Sequence, residues 1–229
     1  MLASVTDVER ILTALGARQD LTDGLMSLAR LANTDFENVR SSLKRGLHQK
    51  QRELAALEAD AAHIRFFLPT MLSGLLQTPE YARASLGVFP GDHSQAITKR
   101  LDRQATLYNR AKRFTFILTE AAVRWQLVEA AVMAVQLGRL SSLSELPNIR
   151  LGIIPLETCV PDGPLNTFTV YDDRIATAET FGGVIMMRDP RDVAYHLELF
   201  AFFERYAVFD DEARKLLEQY TQIFRQASL

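Results

Sequence analysis

A strand that feeds a helix that feeds a second strand leaves a chain few architectures, and this chain carries such a unit at its centre. Phe114 to Leu118 (FTFIL) is β-branched and aromatic enough to predict a strand. Thr119 is placed to cap a following helix, whose apolar positions run through Val128, Val132, Val135, Leu137 and Leu140 and stop before Pro147. Asn148 to Pro155 (NIRLGIIP) predicts the second strand. That order is compatible with a right-handed parallel crossover. Phe168 to Tyr171 and Ile175 to Thr180 predict two more strands around an Asp172-Asp173 turn, and Gly183 to Met187 a further one. Two helices, Arg191 to about Ala207 and about Asp211 to Arg225, close the chain. The predicted fold is α+β and mostly helical, with a small mixed sheet of about four or five strands between residues 114 and 187, flanked by helices.

Ahead of this unit the pattern is helical. Thr6 and Gly16 bound one short helix, and a second starts near Thr22-Asp23; together they are too small to bury a core alone. From Thr34 to about Phe67 the spacing predicts one long helix, or two meeting near Gly46. Phe36, Leu43, Leu57 and Ile64 fall on one heptad position, and Leu47, Leu54, Ala61 and Leu68 on the other. Two readings stand: the seam packs on the chain's own core, or it joins two copies in a homodimer, against which Lys50 and Gly46 both weigh. Pro69 breaks the pattern, Gly74 permits a close turn, and Thr78-Pro79 starts a new helix with proline at its first position. A helix over about Ser94 to Arg113 follows the Phe89-Pro90-Gly91-Asp92 turn.

Composition narrows function. A formal charge of −2 over 229 residues removes the simplest argument for nucleic-acid binding by the chain as a whole. The strongest local bias lies between residues 99 and 113, where Lys99, Arg100, Arg103, Arg110, Lys112 and Arg113 meet one acid, Asp102. A solvated helix face explains it; contact with phosphate, nucleic acid or an acidic partner is the other reading. One cysteine, Cys159, cannot form an intramolecular disulfide, and no signal peptide or bilayer-length apolar run is present, so the expected location is cytoplasmic, off the membrane.

A search for chemistry finds no phosphate-binding glycine loop, no GxSxG elbow and no HExxH pair. The four histidines do not sit at metal-ligand spacing, so neither a metal nor another cofactor is expected. Glu120, Glu157 and Glu179 fall near strand ends without a spacing that selects them. Enzymatic activity therefore has no support from the residues. What remains is a pocket with aromatic and hydrogen-bonding character, for which Arg65, Gln77, Tyr81, Arg103, Gln104 and Trp125 are the candidate ligand contacts. For each singly, core packing or a surface ion pair is the plainer explanation.

Several stretches carry a family likeness: Glu58 to Arg83 (EADAAHIRFFLPTMLSGLLQTPEYAR), Arg100 to Gln104 (RLDRQ), Leu118 to Trp125 (LTEAAVRW), Leu146 to Leu156 (LPNIRLGIIPL), Phe168 to Thr180 (FTVYDDRIATAET) and Asp189 to Val193 (DPRDV). In that order they resemble actinobacterial Xre-type helix-turn-helix transcriptional regulators with a C-terminal, antitoxin-like effector domain of unknown function. The resemblance implies that residues 33–229 are the effector domain, and that residues 1–32 hold the last helix of the DNA-binding domain plus a connecting helix. The recognition helix has no counterpart in this chain, so DNA would be reached only through an N-terminal domain that the sequence does not contain. It also implies a small-molecule ligand or a small protein partner, in a toxin–antitoxin-like pairing. The expected function is regulatory; the alternative is an effector domain redeployed as a small-molecule enzyme of isomerase or cyclase type.

Overall fold

A computed structural model describes residues 3–228. Along the chain run α1 (Val5–Ala14), α2 (Gln19–Ala32), β1 (Thr34–Asn38), α3 (Val39–Arg45), α4 (Leu47–Asp60), β2 (His63–Leu68), α5 (Pro79–Leu86), α6 (Ser94–Arg103) and a 3-10 turn (Gln104–Tyr108). There follow β3 (Arg113–Thr119), α7 (Glu120–Arg124), α8 (Ala130–Ser144), β4 (Ile149–Ile154), β5 (Thr167–Tyr171), β6 (Ile175–Thr180), β7 (Gly183–Met187), α9 (Pro190–Glu204) and α10 (Asp210–Gln226). The fold is α+β, as the sequence predicts.

Seven strands form one mixed sheet in the order β1-β7-β6-β5-β2-β3-β4. β2, β3 and β4 are parallel, with Phe66 opposite Phe116 and Phe116 opposite Leu151. The β3–α7–α8–β4 crossover of the sequence analysis is therefore present. β5, β6 and β7 form an antiparallel meander that joins β2 through β5, and β1 pairs antiparallel with β7 at the far edge. The β5–β6 turn is the expected Asp172-Asp173 hairpin. Asp172 takes a left-handed conformation there (φ 53), and its carboxylate accepts hydrogen bonds from the backbone N–H groups of Ala62 (3.0 Å) and His63 (2.7 Å).

The central strands are buried on both faces, which is why they read as continuous apolar runs instead of alternating ones. Ile64, Phe66, Leu68, Phe114, Phe116, Leu118, Leu151 and Ile153 pack against α8 and α10 on one face. Phe67, Ile117, Phe168 and Val170 pack against α9 on the other. Aromatic contacts hold both layers: Phe66 stacks on Phe116 with centroids 4.7 Å apart, and Phe67 on Phe203 at 4.2 Å.

Two expectations change. Residues 34–67 are not one long helix: two helices, α3 and α4, do meet at Gly46 (φ +90), but Thr34–Asn38 is an edge strand and His63–Leu68 a central strand. The heptad seam is thus distributed over β1, α3, α4 and β2, and Phe36 stands exposed on the sheet edge, so no continuous seam exists for a homodimer to use. Five of the strands lie between residues 113 and 187, as predicted, but the sheet gains β1 and β2 from the region read as helix. Pro69 accordingly ends a strand and not a helix.

α1 and α2 form a small hairpin over Val5, Leu12, Met26 and Ala29, a minor core separate from those of the sheet. Asn33, whose side-chain amide donates to the carbonyls of Ala3 and Ala29, ends that hairpin at β1. No helix of the described residues is long and apolar enough to cross a membrane.

Candidate functional site

Between β2 and α5 the chain crosses ten residues, 69–78, without regular structure while burying Leu72, Leu75 and Leu76. Irregular backbone that is buried must find hydrogen-bond partners outside itself. Here three glutamines supply them. Gln104 donates from Nε2 to the carbonyls of Gly74 and Gln77, both at 2.8 Å. Gln77 donates to the Leu72 carbonyl (2.8 Å), and Gln136, on α8, donates to the Leu76 carbonyl (2.9 Å) while its Oε1 accepts from the Thr78 N–H (2.7 Å). Thr78 then caps α5, its hydroxyl accepting from the Tyr81 N–H, with Pro79 at the first helical position as expected.

Arginines hold the glutamines in turn. Arg139 Nη2 donates to Gln104 Oε1 at 2.7 Å. Arg100 Nη1 lies 2.7 Å from both Gln77 Oε1 and Ser85 Oγ. Arg103, one turn along α6 from Arg100, is only 9% exposed and reaches Glu58 of α4, itself 2% exposed, at 3.2 Å between Nε and Oε2. Burial drives the Glu58 carboxyl up to about 7 even with Arg103 and Lys112 acting against it. Burial also lowers Arg100 to about 10, with the neighbouring Arg103 charge adding to the effect. Tyr171, on β5, faces this cluster, and burial raises its phenol well above the usual value.

Four of the six candidate residues converge here. Gln77, Arg103 and Gln104 belong to the polar network, and Tyr81 is fully buried beside it, burial pushing its phenol up to about 12. Arg65 does not join them. It projects to the opposite face of the sheet from Ile64 and Phe66 and donates to the Asp172 carbonyl at 3.2 Å. Trp125 does not join either: it follows α7 at the surface and is 65% exposed, beside an open groove lined by Glu80, Gln126, Leu127, Val128, Glu129 and Val132. Glu58, Arg100, Gln136 and Arg139 are members that the sequence did not single out. A signal existed for Arg100, because it sits three residues before Arg103 in the basic run and so shares its helix face.

Glu120 and His63 have partners outside this network. Glu120 accepts from the Leu156 N–H (3.0 Å) and pairs with Arg124, which ties α7 to the end of β4. His63 Nε2 is hydrogen-bonded to Thr115 Oγ1 at 2.9 Å on the sheet face shared with Arg65; burial, then the Arg65 and Arg113 charges, lower it to about 4. Among the described residues no three His, Cys, Asp or Glu side chains are grouped to hold a metal ion.

A family model described as "Domain of unknown function (DUF5753)" matches residues 51–219 of the chain, which include the whole polar network. No curated protein matches the sequence. Among solved structures, NucT from Helicobacter pylori is similar over 77% of this chain and 98% of its own, with 7% identity and a TM-score of 0.48. TrmBL2, titled an archaeal chromatin protein with a novel mode of DNA binding, is similar over 87% of this chain and 65% of its own, at 12% identity and a TM-score of 0.40. Nuc from Salmonella typhimurium, titled a phospholipase D family member, is similar over 69% and 90%, at 8% identity and a TM-score of 0.41. At these identities and TM-scores the likeness is too loose to carry function.

Proposed function

The chain belongs to the DUF5753 family, and on that premise we propose that it is the regulatory, ligand-sensing domain of an Xre-type helix-turn-helix transcriptional regulator. The observation that supports this most is that Gln77 and Gln104 hold the backbone between β2 and α5 while Arg103 lies against Gly74 of that segment. That segment is held by side-chain amides in place of a backbone ladder, so a ligand that competes for those amides changes the hold on α5. Ligands shift a conformational equilibrium only through such differential contacts.

On this reading α1 and α2 are the last helix of the DNA-binding domain and a connecting helix, with Ile11, Leu15, Leu28 and Leu31 all more than half exposed on them. The rest of the DNA-binding half, or a small protein partner, would cover that apolar face. The enzymatic alternative calls for an enclosed polar cavity beside Trp125, and the exposed indole and the open groove next to it lend no support.

Native mass spectrometry of the purified chain tests the proposal. A small-molecule mass retained under non-denaturing conditions and lost from a Gln77→Ala, Gln104→Ala double variant is the expected result. A chain that carries no ligand, together with a full-length regulator whose promoter response ignores the same double variant, would overturn it.

A further inference from the structure

We propose that the polar network beneath Gly74 is an oxyanion seat, in which Arg100 and Arg103 receive a carboxylate or phosphate group of a small ligand. The inference deepens the ligand-sensing reading and rests on its choice of site.

The basic run of residues 99–113 divides in the fold. Arg110 and Arg113 are exposed, Lys99 pairs with Asp102, and Lys112 donates to the carbonyls of Ala59 and Ala61 at 2.6 Å. Arg100 and Arg103 instead turn inward. Arg103 Nε and Nη1 and Arg100 Nε are buried and have no hydrogen-bond acceptor. Glu58 Oε2 is also without a donor, because its 3.2 Å approach to Arg103 Nε lacks hydrogen-bond alignment. A guanidinium offers five N–H donors in a planar fork, and leaving several of them buried and unmet carries a desolvation penalty. The neighbouring amide oxygens are engaged by other donors, Gln77 Oε1 by Arg100 Nη1 and Gln104 Oε1 by Arg139 Nη2.

Charge points the same way. Two guanidiniums face one buried carboxyl, so the cluster is cationic even with Glu58 ionised. A carboxylate or phosphate supplies both the missing charge and a pair of acceptor oxygens that matches the guanidinium fork.

Gly74 covers the two guanidiniums from the solvent side. A Cβ there would stand 3.0 Å from Arg103 Nη2 and 3.2 Å from Arg100 Nε and Cδ. The segment thus lies with bare backbone over the two guanidiniums, and Ser73 and Gly74 are themselves half-buried, which puts the seat directly beneath the surface.

Glu58 competes with an entering anion for Arg103. It faces Arg103 from α6, Lys112 from the turn before β3 and Tyr171 from β5, while Glu179 of β6 acts on Arg100 and Tyr171. Binding is therefore expected to weaken as Glu58 ionises. Sulfate, whose own charge is constant over this range, reports that dependence cleanly.

The test is calorimetric titration and thermal unfolding of the full chain with inorganic phosphate, acetate and sulfate, each against chloride at equal ionic strength. Phosphate binding without acetate would identify a phosphoryl group as the ligand's anchor, and the reverse a carboxylate. Expected is saturable binding above the chloride control, weakened about tenfold or more in Arg100→Gln and Arg103→Gln and unchanged in Arg110→Gln and Arg113→Gln. Sulfate should bind more tightly at pH 6 than at pH 8. Where an arginine variant fails to fold by circular dichroism, Gly74→Ala replaces it, because it keeps both guanidiniums and narrows the seat. Anion effects equal to chloride, or retained in the inward variants, or lost equally in the exposed ones, would overturn the proposal. A neutral molecule found by native mass spectrometry with no anion binding would end this inference and leave the sensing role standing; anion binding with no effect on the promoter would do the opposite.

Discussion

Arg103 and Glu58 approach to 3.2 Å in one of the most buried settings of the molecule, yet without the alignment of a hydrogen bond. For a buried pair, desolvation of both partners can exceed their attraction. The high carboxyl value of Glu58 says that its own burial outweighs the help from Arg103. A group whose folded value lies above its unfolded one stabilises the fold at low pH and loses that contribution as pH rises through the folded value. Taken alone, Glu58 should therefore lower stability as pH rises from about 5 to about 8, by an amount on the order of 1–3 kcal/mol. Above about pH 6.5, where His63 no longer contributes, urea unfolding midpoints should decline in the wild type and stay flat in Glu58→Gln. A parallel decline in both would show that another group titrates.

His63 works in the opposite direction. Burial first, with Arg65 and Arg113 behind it, holds the imidazole at about 4, below its ordinary 6.5. The unfolded chain then binds the extra proton between those values, so stability is intact above about pH 6.5 and is lost as pH falls toward 4. In the wild type this loss overlaps the Glu58 gain and the two partly cancel. Replacing His63 by Gln, which keeps a polar group facing Thr115, should remove the acid-side loss and leave the alkaline decline. Proton NMR should place the His63 ring titration near pH 4; a midpoint near 6.5 would show that the ring is better solvated than its contacts with Thr115 and the two arginines imply.

Gly74 carries a prediction about packing. No unusual backbone conformation is needed there, so the obstacle to a side chain is the guanidinium pair 3.0–3.2 Å from its Cβ position. Gly74→Ala should lower stability by about 1 kcal/mol, and Gly74→Val by about 2–3 kcal/mol. Equal stability of all three proteins in urea would show that the arginines withdraw freely, and with them the closeness of the segment to the seat.

Local signals were legible from sequence alone, and pairings between distant residues were not. Thr78-Pro79 at the start of α5, the Asp172-Asp173 turn and the β3–β4 crossover each depend on residues close in the chain. β2 and β1 depend on partners far away: His63 is paired with Arg113, and Thr34 with Met187. Without those partners, HIRFFL, apolar on both faces, continues a helical pattern as readily as it forms a strand. The candidate site divides in the same way. Gln77 stands out as a polar residue after an apolar run, and Arg103 and Gln104 lie in or beside the basic run of α6. Glu58 is hidden because a glutamate on an amphipathic helix reads as solvated, and only the packing of α4 on α6 turns it inward. Trp125 supplies the aromatic character expected of a pocket wall, but the short α7 leaves it at the surface.

The last relationship lies across β4. Gly152 sits in the middle of that strand with the Phe209 ring on it: a Cβ would come within 2.4 Å of Phe209 Cε1 and 2.6 Å of Cζ. The Arg150 guanidinium covers the same ring, 3.7 Å from its centroid, and Glu204 pairs with that guanidinium. Reciprocal hydrogen bonds of 2.9 Å between Ile153 and Val208 fasten the segment to the strand. A methyl group at residue 152 must therefore displace the ring, and with it the arginine stacked above and the strand-edge pairing beside it. Gly152→Ala should cost about 1–3 kcal/mol. Phe209→Ala should also destabilise, by removing the ring that Arg150 covers. The double variant should be more stable than the sum of the single losses predicts, because the alanine methyl then occupies space the ring has left. Contacting residues depart from additivity by about 0.5–3 kcal/mol, which chemical denaturation of the four proteins can resolve. Strict additivity would mean that Gly152 is required for the strand itself and not for the ring packed on it.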